Sequence, residues 1–218
     1  MVFPAWETPR LPGRLADWLA DWLAANGRYA AAVLRDYAEP TREHHAAMRR
    51  ALLESREARA TWQEAYDRAR REPVRPRSLT SREAQEAQEA LKGFGRAAML
   101  MEGHAPRADS RSAPEAKRFA EALETDTAKA AAAVREHRNP EWGRVAEALH
   151  AWEEAAADKA SPVVRREAEL QKRALEDLAT AVSRTPLERD VGSAREEQRM
   201  RATLAAAGSG SGPAHRGG

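Results

Sequence analysis

The sequence predicts an all-α protein, built as an antiparallel helical bundle or an elongated helical array of about seven helices, with no sheet. Three observations lead there. Apolar residues recur every three to four positions over long stretches, prolines and capping residues punctuate those stretches, and no run of Val, Ile or Thr alternates with the period of a strand. Composition agrees, since the 42% hydrophobic fraction is largely alanine, 32% of the 218 residues are charged and only 6% are aromatic. Bulky core residues are scarce, so the six Trp are expected to anchor helix contacts.

Residues 1–12 read as an extended lead containing prolines. From about Gly13 to Ala38, Leu15, Trp18, Leu19, Trp22, Leu23, Tyr29, Val33, Leu34 and Tyr37 keep helical spacing, with Asn26-Gly27 as a candidate kink. Pro40 closes this helix and a second runs from about Thr41 to Glu72, where Pro73 stops it. Together they make an N-terminal hairpin, 13–72, followed by a linker, 73–80. Thr80 and Glu83 form a capping box for a third helix reaching about Glu102. A loop from Gly103 to Ala113 leads into a fourth helix, Pro114 to about His137. Asn139-Pro140, Ser161-Pro162 and Thr185-Pro186 each set a capping side chain before a proline, predicting three more helix starts. Residues 81–207 thus form a C-terminal bundle, either separate from the hairpin or packed with it as one domain, and the Gly/Ser-rich 208–218 is a disordered tail.

Thirty-six basic residues against thirty-four acidic leave a net charge of +2, too small to draw the whole chain to nucleic acid or membrane. The local pattern is more informative. Thr41 to Arg77 carries ten Arg and six acidic residues, whereas Glu115 to Lys159 carries seven basic and ten acidic. The lack of cysteine excludes disulfides and thiolate chemistry and fits a reducing compartment. With no apolar run of membrane-spanning length and no basic-then-apolar leader, a cytoplasmic location is expected.

Two surfaces are candidates for function. The tandem repeat Leu15-Ala16-Asp17-Trp18, Leu19-Ala20-Asp21-Trp22 sets Trp18 and Trp22 one above the other as an aromatic ridge, which either packs into the bundle or contacts a protein partner. The second helix has a seam of His45, Met48, Leu52, Ser55, Arg59, Trp62, Tyr66 and Ala69, interrupted at Ser55 and Arg59, with Ala51, Ala58 and Ala65 along one margin. Along its other margin Arg42, Arg49, Arg56 and Arg70 stand at heptad spacing, broken by Gln63, with about 10.5 Å per heptad, and could contact phosphates.

Motifs for chemistry lack their context. Gly93-Phe94-Gly95-Arg96-Ala97-Ala98 matches the dinucleotide pattern GxGxxA, but a helical stretch precedes it instead of a strand. Glu147 and His150 make one ExxH pair, and a bundle metal site needs two. No nucleophile elbow or spaced triad is present. The sequence therefore predicts no catalytic residues, cofactor or metal, and a non-enzymatic module for protein contact or self-association, without a membrane role.

The run Ala90-Leu91-Lys92-Gly93-Phe94-Gly95-Arg96-Ala97 resembles a helical segment near the carboxyl end of conjugative relaxases. The resemblance covers eight residues and implies an Ala/Arg-rich helical module of plasmid transfer, related to secretion-signal domains and recognised by a coupling protein. The nuclease portion of those proteins has no counterpart here, and no functional residue carries over. On this alternative the Arg stripe would contact nucleic acid.

Overall fold

The computed structural model describes residues 14–71, 79–105, 114–156 and 162–183. They form six helices and no strand: α1 (Arg14–Ala38), α2 (Arg42–Arg71), α3 (Ser81–Gly103), α4 (Pro114–Arg135), α5 (Gly143–Ala156) and α6 (Pro162–Val182). The lead, most of the linker, the expected seventh helix from Pro186 and the C-terminal tail lie outside the described residues.

Helix ends follow the local chemistry in most places. Thr41 caps α2, its hydroxyl accepting the His44 N–H at 3.1 Å. At the start of α3, Thr80 Oγ1 accepts from the Glu83 N–H while Glu83 returns a carboxylate to the Thr80 N–H at 2.8 Å, the reciprocal box expected there. α4 ends in a Schellman motif, in which Arg138 N–H reaches the Ala133 carbonyl at 2.8 Å and His137 N–H the Val134 carbonyl. The left-handed position of that motif, usually glycine, is His137 at φ 55°.

One expected start is corrected. Asn139-Pro140 does not open α5, which begins three residues later at Gly143. Its N-terminus is capped across space, because Asp126 of α4 accepts the Val145 N–H at 3.2 Å and satisfies a donor that a local side chain would otherwise take.

α1 lies at the centre of the packing and touches α2, α3 and α4, while α6 packs on α3 and α5 on α4. Residue pairings set the directions. Asn26 meets Ser55 and Asp36 meets His45, so α2 runs antiparallel to α1. Asp21 meets Arg135 and Arg35 meets Glu124, so α4 does too. Contacts between Met101 and Gln171 and between Gly93 and Ala174 order α6 antiparallel to α3. All six helices contribute to one apolar core. In it Trp22 stacks on Trp62 with ring centres 6.5 Å apart, and Phe119 stacks on Trp152 at 5.6 Å, tying α1 to α2 and α4 to α5.

Asn26-Gly27, the candidate kink, leaves α1 as one helix. The pair acts as a junction instead. Asn26 is 2% exposed, gives its amide to the Leu91 carbonyl of α3 at 3.0 Å and accepts the Ser55 hydroxyl of α2 at 2.5 Å. Gly27 admits Thr127 of α4 so closely that a Cβ there would stand 1.9 Å from Thr127 Oγ1. Gly93 is different, since a Cβ would meet only Ala174 at an ordinary 3.8 Å. We therefore expect Gly27→Ala to destabilise the fold by about 1–3 kcal/mol, overpacking outweighing helix propensity. Gly93→Ala should instead stabilise it by about 0.5–1 kcal/mol, as read from urea midpoints by circular dichroism.

Candidate functional site

Three helices leave α1 almost no free side. From Leu15 onward its accessible strip consists of Asp17, Trp18, Asp21, Ala24, Arg28 and Arg35, with Leu19, Ala20, Trp22, Leu23, Tyr29 and Tyr37 turned inward. Along the first part of this strip α2 and α4 stand apart, opening a groove of about 410 Å³. Trp18, Asp21, Ala24, Ala25 and Arg28 of α1 line it, with Glu54, Glu57, Ala58 and Thr61 of α2 and Arg135 of α4. Alanines explain the space. Ala58 falls between two levels where α2 meets α1, the Asn26–Ser55 bond and the Trp22–Trp62 stack, and only Ala24 and Ala25 face that gap. Towards the carboxyl end of α1 the Arg35–Glu124 ion pair spans the strip from α4.

Charged rims flank this apolar floor. Arg28 donates from Nε and an Nη to Glu54 Oε2 at 3.3 and 3.2 Å, and Arg135 pairs with Asp21. Both pairs are solvent-exposed, so each contributes little stability and can re-form around a bound group. Glu57 makes no ion pair with another described residue. The Thr61 hydroxyl is occupied, donating to the Glu57 carbonyl at 3.1 Å.

The two Trp of the tandem repeat are separated by this arrangement. Trp22, 2% exposed, is core, so the surface ridge that its partnership with Trp18 would have formed does not exist. Trp18 stays half-buried as a wall of the groove. On α2, Arg42, Arg49, Arg56 and Arg70 are all exposed, and Leu53, 63% exposed, sits among them. Arg70 also lies over the Tyr66 ring, 5.8 Å from its centre. On the α2 seam Arg59, one of its two interruptions, is exposed, while Ser55, the other, and the Ala51 and Ala65 margin are buried. Sequence reasoning reached Trp18 and Ala58 but not Glu54, Glu57, Thr61 or Arg135, which meet only through tertiary packing.

Gly93 to Ala98 lies inside α3 with Phe94, Ala97 and Ala98 buried, so the GxGxxA match and the relaxase-like run are core-facing helix. Glu147 and His150 are both exposed, and His150 pairs with Glu154 at 3.3 Å. Among the described residues no three His, Asp or Glu side chains are grouped to hold a metal ion, and no helix is long and apolar enough to cross a membrane.

A second polar cluster lies where α1 ends and α2 begins. Tyr29 donates to Glu102, and Tyr37 donates to the Met101 carbonyl at 2.7 Å. Burial, with Glu102 beside it, pushes the Tyr29 phenol far above its ordinary range, and burial near Asp36 does the same to Tyr37. Asp36 is wholly buried, and neither carboxylate oxygen accepts a hydrogen bond from a described residue. His45 Nδ1 stands 3.1 Å from Asp36 Oδ1 but also 2.8 Å from the Thr41 carbonyl. Burial raises the Asp36 carboxyl despite the attraction of His45 and His44, with Glu102 adding to the rise.

No protein-family model, curated protein or solved structure matches this chain.

Because folding raises the Asp36 carboxyl above its unfolded value of 3.8, the folded state holds that proton more tightly. The stability linked to it is complete below pH 3.8 and is lost as pH rises through the raised folded value. Glu153, raised by burial and by Glu169 across the α5–α6 contact, acts in the same direction. Urea unfolding from pH 3.5 upward should show Asp36→Asn reducing this downward slope and Asp36→Asn/Glu153→Gln reducing it further. Each raised carboxyl accounts for about 1.4 kcal/mol per pKa unit of its shift.

Proposed function

We propose that this chain is a non-enzymatic helical module that binds another protein, and that the groove over α1 is its contact surface. The observation that carries the reading is the half-buried Trp18 at the edge of a concave, alanine-floored gap. A rigid aromatic side chain beside a recess is the usual form of a binding anchor, with large contact area and little rotamer entropy to lose. The rim adds charged groups that orient a partner. The Thr61 hydroxyl is engaged with backbone and the Asp21 and Glu54 carboxylates with arginine, and among the described residues no nucleophile is set against a base.

A second reading rests on α2, where the exposed Arg42, Arg49, Arg56 and Arg70 form no ion pair with another described residue. They would contact a nucleic-acid backbone in a helical accessory or secretion-signal module linked to plasmid transfer. Glu43, Glu54, Glu57, Glu64 and Asp67 are exposed on the same helix and weaken that field.

Selection from a displayed library of random dodecapeptides against the full chain tests both readings. Selected peptides should lose about tenfold or more in affinity for Trp18→Ala and for the groove-filling Ala58→Met, each still folded by circular dichroism. Binding insensitive to both substitutions would overturn the groove reading. Salt-dependent binding of a duplex DNA that Arg49→Glu/Arg56→Glu abolishes would favour the second.

A further inference from the structure

We infer that the groove takes an arginine side chain from its peptide partner, seated between the Trp18 indole and the Glu57 carboxylate. This inference rests on the groove being the contact surface and adds the chemistry of what enters it.

The charge of the lining points to a cation. Three carboxylates, Asp21, Glu54 and Glu57, face two guanidinium groups, Arg28 and Arg135. Arg28 is held by Glu54 and Arg135 by Asp21. The surplus negative charge therefore belongs to Glu57, which has no ion pair among the described residues. An anionic side chain would meet that charge, whereas a cation completes a third pair within a recess that screens it less than open solvent does.

The shape of the lining points to a guanidinium. Its flat, weakly hydrated surface can stack on indole while its edge donates to a carboxylate, two demands that an ammonium meets less well. The floor of Ala24, Ala25 and Ala58 suits the methylene stem. At about 410 Å³ the groove also has room for a neighbouring peptide side chain.

The test uses the peptides selected against the full chain and synthetic versions in which one arginine is replaced by citrulline, its neutral near-isostere, or by lysine. Affinity is measured by titration calorimetry, and contact with Trp18 by its indole N–H resonance, assigned through Trp18→Phe. We expect one arginine whose change to citrulline weakens binding about tenfold and whose change to lysine weakens it less. Glu57→Gln should weaken the arginine peptide and leave the citrulline peptide unchanged. Peptides that shift the Trp18 resonance but bind equally with arginine or citrulline would overturn the arginine assignment and leave the groove reading standing. Agmatine binding as tightly as the peptide would overturn it too, marking a site for free small cations. Peptides that never shift the Trp18 resonance would overturn both readings.

Discussion

Thr127 of α4 rests on the bare backbone of Gly27, and the positions of the other helices follow from that contact. Because no side chain stands between them, the axes of α1 and α4 come close enough for Ala130, Ala131 and Leu123 to complete the core on one side of α1. Asn26, one residue earlier, points away from this contact and bonds to α3 and α2. A helix touched on three sides needs small residues or polar links at each level, and α1 has both in adjacent positions. A buried amide of this kind costs free energy unless its groups are paired, and Leu91 and Ser55 supply the pairing.

The legible part of the fold was the part written in local chemistry. Helical periodicity, Pro40 and the Thr80–Glu83 box place α1, α2 and α3 to within about two residues of their bounds, as expected for signals carried by neighbours in the chain. The all-α, antiparallel architecture follows from the same signals. Asn139 misled because a capping side chain before a proline describes a possible start, while Asp126, a partner from another helix, determined where α5 begins. Asn26-Gly27 reads locally as a kink, and what the structure adds is a set of tertiary contacts to three helices at that level of the continuous α1.

The candidate site was less legible. Tandem repetition shows that Trp18 and Trp22 lie near one another on α1 but not where the boundary of the core will fall between them. That boundary is set by Trp62, which covers Trp22 and leaves Trp18 at the edge. The remaining lining comes from three helices, and although it keeps helical spacing within α1 and within α2, nothing in the chain says that these faces meet each other and Arg135. Small residues were the available clue. Ala58 stood out as one of three alanines at heptad spacing, yet two of them are buried and only Ala58 borders open space.

The stack from Trp22 through Trp62 to Tyr66 has an optical consequence. Its ring centres are 6.5 and 5.8 Å apart, close enough for the electronic transitions of the rings to couple. Coupled chromophores in a fixed chiral arrangement give an exciton contribution to circular dichroism that vanishes when they separate. The docking of α2 on α1 therefore carries its own unlabelled reporter, distinct from the helix signal. A state in which α2 swings away while staying helical would lose the Trp22–Trp62 contribution, retain that of Trp62 with Tyr66 on the same helix, and keep the helical bands.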